Sequence, residues 1–305
     1  MSESKVFVPP LKIQGIKTKL VPLIKNTVML HRDSVWIEPF MGSGVVGFNV
    51  APSRAIFSDT NPHIINFYKQ IQNGKITPYI VRCFLEEEGG KLSKLDDEYY
   101  YEVRMRFNQY HNPLDFLFLN RSCFNGMMRF NKNNDFNVPY GHKPLRFSKA
   151  YVTKIVNQVD YVESKIKDND WEFLCQSFED TISCADANSF IYCDPPYIDR
   201  NVDYFDSWDE NLELKLCECL KNSKAKFMLS TWDSNIYRQN EYVAKVWNFC
   251  YKTTKEHFYY VGAKTTNRNS VIEALLTNYV PISYNNEFSK SDNQMNLFNF
   301  IDVFA

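Results

Sequence analysis

Short apolar runs bounded by turn residues recur along the chain, and helix-length segments separate most of them. Runs of this kind are typical of buried β-strands. The predicted strands are Val35–Phe40, Arg54–Asp59, Trp171–Phe178, Phe190–Asp194, Lys226–Thr231, Glu256–Gly262 and Val271–Tyr279. Because strands alternate with helices, the pattern predicts an α/β fold in which a mainly parallel sheet is covered on both faces.

The alternation is interrupted once, between the second and the third predicted strand. This interval looks mostly helical at first and loop-rich later, and it contains an aromatic and basic stretch from Leu119 to Pro144. A long insertion in an alternating sheet usually brings its own function. We therefore expect a catalytic domain made of residues 1–61 and 165–305, and an inserted, mainly helical recognition domain at residues 62–164.

The composition, 44% hydrophobic and 23% charged residues, is that of an ordinary globular enzyme. No apolar run approaches the roughly 20 residues that span a bilayer, and Met1–Pro10 lacks the basic and apolar regions of a signal peptide. We expect a cytoplasmic protein without membrane contact. The eight cysteines form no C-x-x-C pair and the histidines show no metal-ligand spacing, so neither a disulfide nor a metal is expected.

Charge is distributed unevenly, although the formal net charge is only −1. From Arg121 to Lys154 there are seven basic residues and one acidic residue, and from Lys12 to Lys25 there are four lysines and no acid. A local basic surface on a nearly neutral protein fits an anionic polymer such as nucleic acid. On charge alone, a solvated basic face is an equally good interpretation.

The first candidate motif is the segment Glu38–Gly44 (EPFMGSG), which lies between a predicted strand and a helical segment. Its two glycines allow a tight turn whose backbone approaches a ligand closely. Asp59 ends the next predicted strand, where a carboxylate can accept hydrogen bonds from both hydroxyls of a ribose. This context favours a nucleoside site over a turn without a ligand.

The second motif is Asp194-Pro195-Pro196-Tyr197 (DPPY), at the end of a predicted strand. The N6 amine of adenine is a poor nucleophile because its lone pair is delocalised into the ring. Asp194 and the carbonyl of Pro195 can accept its two N–H bonds and direct the lone pair at a methyl donor. The prolines hold the backbone, and Tyr197 offers a face for stacking the base. We interpret DPPY as catalytic; the alternative is a proline-rich turn with an exposed tyrosine.

FMGSG followed by DPPY, with an insertion between them, resembles the Dam-like adenine-N6 DNA methyltransferases. LKIQGIKTKL is similar to the opening motif of that family, LKWxGGK, with Ile13 in place of tryptophan and Ile16 in place of the second glycine. The likeness covers nearly the whole chain. It implies a class I (Rossmann-like) methyltransferase sheet, S-adenosylmethionine as the cofactor, and an adenine-specific DNA methyltransferase activity.

Within that family the pattern is most similar to the EcoRV-type modification methylases. This resemblance implies double-stranded DNA with a GATATC-like site, from which the target adenine is flipped out. It also implies the modification enzyme of a type II restriction–modification system. A cognate endonuclease would then share the site without being a physical partner, and we expect a monomer.

The resemblance also implies roles for individual residues. Cofactor contacts are expected from Lys17, Glu38, Phe40, Gly42, Gly44, Asp59, Phe178 and Asp194. Glu38 would receive the ammonium group of the cofactor, and Phe178 would cover its adenine. Asp194 would lie between the methyl donor and the target.

In the insertion, LNRSCFNGMMRFN and FNVPYG are similar to the DNA-contacting region of the family. Phe124-Asn125 occupies the position of the wedge that fills the gap left by a flipped base, and Arg129 and Pro139 match positions that meet base edges. The predicted DNA contacts are Lys12, Phe124, Asn125, Met127, Arg129, Pro139, Asn267 and Arg268. For Phe124 and Met127, ordinary core packing is the alternative.

Ser230, Trp232 and Tyr259 are expected to enclose the flipped adenine, again with core packing as the alternative. Four other functions compete with adenine methylation of DNA. Cytosine-N4 methylases usually read SPPY, and RNA adenine or protein glutamine methylases usually read NLPY or NPPY. A catalytically inactive, sequence-specific DNA-binding protein would need neither FMGSG nor DPPY. The sequence leaves open whether the protein belongs to a restriction–modification pair or is a solitary regulator.

Overall fold

The computed structural model describes residues 5–198, 208–258 and 270–281. The strands in these ranges are β1 (Val35–Glu38), β2 (Arg54–Asp59), β3 (Asp170–Cys175), β4 (Ser189–Cys193), β5 (Lys226–Asn235), β6 (Tyr251–Phe258) and β7 (Ser270–Thr277). These strands form one sheet in the order β3-β2-β1-β4-β5-β7-β6. Neighbours from β3 to β5 are parallel, whereas β7 is antiparallel to both β5 and β6. The fold is that of a class I methyltransferase, as expected.

The helices in the described ranges are α1 (Val21–Thr27), α2 (Val45–Val50), α3 (Pro62–Gln72), α4 (Pro78–Tyr110), α5 (Pro113–Ser122), α6 (Lys149–Asp168), α7 (Phe178–Ser183), α8 (Glu210–Asn222) and α9 (Glu241–Lys245). Three of those in the insertion begin in the same way. Asn61, Thr77 and Asn112 each accept a hydrogen bond from the first turn, and a proline follows each of them. A capping side chain followed by proline is a strong start signal because proline needs no hydrogen-bond partner at that position.

Every predicted strand has a counterpart in the sheet, and the prediction of a mainly parallel sheet is confirmed. The largest error concerns β6, which begins at Tyr251, whereas the predicted run begins at Glu256. β6 lies at the edge of the sheet, and its first six residues (YKTTKE) are largely polar. Charged side chains on an edge strand prevent pairing with other chains, and they also hide the apolar pattern that identifies a strand.

The insertion is mainly helical, as expected, and it packs directly on the sheet. The sheet residues Trp36 and Phe57 belong to the same continuous apolar core as Tyr100 and Phe107 of α4. The division at residues 62 and 164 therefore remains a prediction. Among the helices of the described ranges, none has the length and apolarity required to cross a membrane.

The strand order reverses between β1 and β4, which lie side by side in the sheet. In open parallel sheets, ligands bind at such a switch point, outside the carboxyl ends of the strands. Three acidic residues reach this edge: Glu38 ends β1, Asp59 ends β2, and Asp194 directly follows β4. The fold thus brings together acids that are far apart along the chain.

Candidate active site

A cavity of about 660 Å³ opens at this edge of the sheet. Its volume lies within the range of about 300–1,000 Å³ that is typical of small-molecule sites. The predicted site residues that line it are Lys17, Glu38, Phe40, Gly42, Asp59, Phe178, Asp194, Pro195, Pro196 and Tyr197. Ile13, which stands where the resembling family has tryptophan, is also in the wall. Both motifs and the opening segment therefore meet in one cavity.

The turn that contains Gly42 and Gly44 is hydrogen-bonded to Asp59 at the end of β2. Gly42 and Gly44 have φ angles of 49° and 71°, in the left-handed region that favours glycine. One carboxylate oxygen of Asp59 accepts from the Gly42 amide and the other from the Asn61 amide, each at 2.9 Å. Gly44 lies behind the cavity wall, where a Cβ atom would come within 2.5 Å of the Phe48 ring. Asp59 thus holds the turn that the sequence predicted as a ligand loop.

Glu38 is a buried acid that faces the cavity. Its Oε2 accepts a hydrogen bond from the Trp36 indole at 2.8 Å, and α2 approaches so closely that a Cβ on Gly47 would lie 2.6 Å from the same oxygen. Burial raises the pKa of Glu38 to about 8, and the Asp194 carboxylate adds to this rise, whereas hydrogen bonds from Trp36 and Gly47 oppose it. A bound cation would stabilise the ionised form, so the residue fits a ligand ammonium group.

Asp194 is held by two donors that use the same oxygen. Lys17 Nζ and Ser230 Oγ each donate to Oδ1 at 2.8 Å. Lys17 Nζ also donates to the Gly15 carbonyl at 2.9 Å, and it lies 5.1 Å from the centre of the Tyr197 ring. Within the described residues, Oδ2 of Asp194 accepts no hydrogen bond. The carboxylate therefore has a fixed orientation with one oxygen available to a ligand.

Lys17 and Asp194 form a buried ion pair. Burial lowers the pKa of Lys17, but the Asp194 carboxylate, together with Tyr197, Glu273 and Tyr192, more than offsets this effect and holds that pKa well above its ordinary value. Burial raises the pKa of Asp194, whereas the Lys17 ammonium and the Ser230 hydroxyl oppose the rise. Lys17 therefore favours the ionised form of the carboxylate.

Neither Ser230 nor Trp232, two of the residues predicted to enclose the flipped adenine, lines the large cavity, and their role there remains a prediction. Ser230 is fully buried in β5, and its hydroxyl contacts the Asp194 carboxylate and the Tyr192 hydroxyl. Trp232 borders a separate cavity of about 310 Å³, next to Ile198 and under the guanidinium of Arg238. Tyr259 lies outside the described residues.

The predicted DNA-contacting residues of the insertion share one irregular hairpin. Phe124 and Pro139 face each other at its base, where the Phe124 amide donates to the Pro139 carbonyl at 2.9 Å. Phe124 is 49% exposed, which argues against core packing, whereas Met127 is partly buried against the core. Asn125 is exposed and has a φ of 53°, a conformation that asparagine tolerates better than most residues.

Arg129 is fixed within this hairpin by Asn137. Its Nε donates to the Asn137 side-chain oxygen at 2.8 Å, and the two backbones are bonded as well. The neighbouring residues Met128 and Phe130 point into the wall of the large cavity. Lys12 lies under the turn, because a Cβ on Gly126 would be 2.6 Å from its Cδ. Asn267 and Arg268 lie outside the described residues.

One known protein family matches most of the chain. The sequence profile of the D12 class N6 adenine-specific DNA methyltransferases matches residues 14–267. The chain belongs to this family. The match runs from the opening motif past the DPPY segment, and so includes every cavity residue named above except Ile13. The predicted likeness to EcoRV-type methylases in particular remains a prediction.

Three individual proteins are each similar to a large part of the chain. The chain is 30% identical to the type II methyltransferase M.FokI of Planomicrobium okeanokoites over 88% of this chain and 42% of that protein. It is 36% identical to the DNA adenine methylase of Haemophilus influenzae over 62% of this chain and 63% of that protein. It is 32% identical to the type II methyltransferase M.MjaIII of Methanocaldococcus jannaschii over 73% of this chain and 83% of that protein. The matches thus span less than two thirds of the first two relatives.

Several residues of this D12-class cavity have no signal in the sequence. Trp208 and Leu212 line it beside Phe40 and Phe178, and Asn61 lines it between Asp59 and the hairpin that carries Met128. None of them belongs to a motif. Among the described residues, no group of three or more His, Cys, Asp or Glu side chains could hold a metal ion.

Proposed function

We propose that this protein uses S-adenosylmethionine to methylate the exocyclic N6 of an adenine in double-stranded DNA. The observation that carries the proposal is the arrangement of Asp194. Lys17 and Ser230 share Oδ1, and Oδ2 accepts no hydrogen bond within the described residues, while the residue lines the cavity. A carboxylate oriented in this way can accept one N–H bond of the target amine through Oδ2.

The residues of the cavity fit the cofactor. Glu38 would receive its ammonium, Asp59 would accept from its ribose hydroxyls, and the aromatic pair of Phe40 and Phe178, with ring centres 5.5 Å apart, would contact its adenine. The left-handed turn at Gly42 allows the backbone to approach the ligand. When bound, the cofactor supplies an electrophilic methyl group.

The chemistry that this chain supplies is orientation and charge. Asp194 and the carbonyl of Pro195 would accept the two N–H bonds of the amine, which localises the lone pair on nitrogen. As nitrogen becomes positive in the transition state, the ionised carboxylate stabilises it. Tyr197 would stack on the extruded base, which replaces part of the stacking lost from the duplex.

The recognition hairpin would bind the DNA. Phe124 would fill the gap left by the flipped adenine, Arg129 would read a base pair in the major groove, and Lys12 would bind beside them. We propose a monomeric modification enzyme of a type II restriction–modification system with a GATATC-like site. Its cognate endonuclease would share the site but would not bind the protein.

Sequencing of single DNA molecules treated with the purified protein and S-adenosylmethionine tests this proposal directly. The expected result is N6-methyladenine within one short sequence and no other modified base. Methylated cytosine would reject adenine as the target. Site-specific DNA binding without any methyl transfer would support the competing hypothesis of a catalytically inactive DNA-binding protein.

Asp59→Ala is expected to weaken binding of S-adenosylmethionine by about 1–3 kcal/mol, because ribose hydroxyls and the Gly42 amide would lose their acceptor. Isothermal titration calorimetry measures the change. Asp170→Ala is the matched control, since Asp170 is exposed at the opposite, amino-terminal end of β3. An unchanged affinity in Asp59→Ala would remove this residue from the site.

Arg129→Ala is expected to reduce discrimination at a single base pair by about 1–3 kcal/mol, because one bidentate contact to a base edge is lost. The measurement is kcat/KM on a set of duplexes, each with one substituted base pair. Lys132→Ala, at the exposed tip of the same hairpin, is the control and should weaken all duplexes alike. A uniform loss in Arg129→Ala would instead assign Arg129 to the DNA backbone.

A further inference from the structure

One end of the cavity is an aromatic cluster to which Trp208 contributes a third ring. The centre of the Trp208 ring lies 5.5 Å from that of Phe40, in an edge-on arrangement, and 5.7 Å from that of Phe178. All three rings line the cavity together with Leu212. Trp208 is partly exposed, as expected for a side chain with one face against protein and the other against the open cavity.

The Trp208 ring is fixed by a buried carboxylate. Its indole Nε1 donates to Oε2 of Glu213 at 2.7 Å, and the indole of Trp247 donates to Oε1 at the same distance. Glu213 is only 6% exposed, and Trp247 belongs to the apolar core. A buried carboxylate is costly unless its oxygens are hydrogen-bonded, so both indoles are needed to stabilise it. The result is a rigid connection from the core to the cavity wall.

We propose that Trp208 is a further cofactor-binding residue, which forms with Phe40 and Phe178 the wall that contacts the adenine of S-adenosylmethionine, and that Glu213 is the residue that positions it. This inference rests on the proposed function and extends it to a contact that neither motif contains.

The chemistry of the cavity indicates which part of the cofactor this wall binds. A purine is flat and weakly polar, and it stacks on aromatic rings. The methionine portion carries an ammonium, a carboxylate and a sulfonium, which require polar partners. Such partners lie at Glu38, Lys17 and Asp194, whereas Trp208, Phe40, Phe178 and Leu212 present carbon surfaces. Adenine therefore fits the aromatic end.

Binding of S-adenosylhomocysteine and of adenosine to the purified full chain tests the role of Trp208. Trp208→Ala should weaken both ligands by the same factor, about 5- to 150-fold, the range associated with stacking of one base on an aromatic side chain. Trp208→Phe keeps a ring in place and should restore most of the affinity. Equal affinities of wild type and Trp208→Ala for both ligands would overturn the proposal, as would a loss confined to S-adenosylhomocysteine.

Intrinsic fluorescence provides a second measurement that does not depend on Trp208→Ala being folded. Saturating S-adenosylhomocysteine should quench the wild type, and Trp208→Phe should lose most of this quenching. Trp171→Phe is the control: Trp171 lies in the core on β3 and does not line the cavity, so its removal should leave the quenching intact. Full quenching in Trp208→Phe would exclude contact between ligand and ring.

A double-mutant cycle tests Glu213 as a positioning residue. In Glu213→Gln, the amide nitrogen would face one of the two indole N–H groups, and two donors cannot form a hydrogen bond with each other. The variant should therefore weaken S-adenosylhomocysteine binding in the wild-type background. In the Trp208→Phe background, where the indole N–H is absent, it should have no further effect on affinity. Equal losses in both backgrounds would show a general structural role. A wild type that binds neither ligand would refute the proposed function itself, whereas normal binding and methylation in Trp208→Ala would refute only this inference.

Discussion

Asp194→Ala is expected to lower the rate of methyl transfer at least about 10³-fold, while affinity for DNA changes by less than about threefold. The two effects should separate because Asp194 is proposed to act on the target amine, whereas DNA affinity comes mainly from contacts of basic residues with phosphates. Single-turnover methylation of a duplex and fluorescence anisotropy of the same duplex measure the two quantities. Near-normal transfer by Asp194→Ala would refute the proposed mechanism.

Asp194→Asn is a more specific test of the geometry. Lys17 and Ser230 both donate to the position of Oδ1, so they would draw the amide oxygen of the asparagine to that position. The amide nitrogen would then occupy the position of Oδ2 and present a donor to the N–H bonds of the amine. We therefore expect the asparagine variant to be nearly as slow as the alanine variant. A modest decrease would mean that Oδ1, rather than Oδ2, meets the amine.

The parts of this site that could be predicted from sequence are those set by local backbone chemistry. Glycines in a tight turn and prolines after a strand restrict the chain wherever they occur. The sequence therefore predicts that Gly42, Gly44 and the DPPY segment form turns at the ends of strands. The ends of parallel strands meet at one edge of the sheet, and this explains why Asp59 and Asp194 line the same cavity.

The parts that could not be predicted depend on contacts between distant residues. The resemblance assigned Lys17 to the cofactor, but its ammonium is bonded to Asp194, which only the packing of the opening segment over β4 could reveal. Ser230 lies within a predicted strand, and its hydrogen bond to Asp194 depends on the pairing of β5 with β4. Trp208 stands in a polar stretch without periodicity, and its proposed role depends on a hydrogen bond to Glu213.

Lys17→Met is expected to lower methyl transfer about 10²- to 10³-fold at neutral pH, an effect comparable to the loss of one preorganised electrostatic partner. Methionine is similar in length to lysine but has no charge, so Asp194 would lose its only close cation among the described residues. Lys17→Arg retains the charge and should recover part of the rate. Lys25→Met, on an exposed position of α1, is the control and should behave like the wild type.

The pH dependence of the rate distinguishes this role from a cofactor contact. Transfer requires ionised Asp194, so the rate should fall as decreasing pH protonates it. In the wild type the Lys17 ammonium opposes the rise in the pKa of Asp194 that burial causes, and the pKa of Lys17 itself is raised too far for it to lose its proton near neutral pH. Without that ammonium, Asp194 would keep its proton to higher pH, so the acidic limb of the profile should move to higher pH and activity should recover as pH rises. If Lys17 only contacts the cofactor, Lys17→Met would instead raise the KM for S-adenosylmethionine and leave the acidic limb where it is in the wild type.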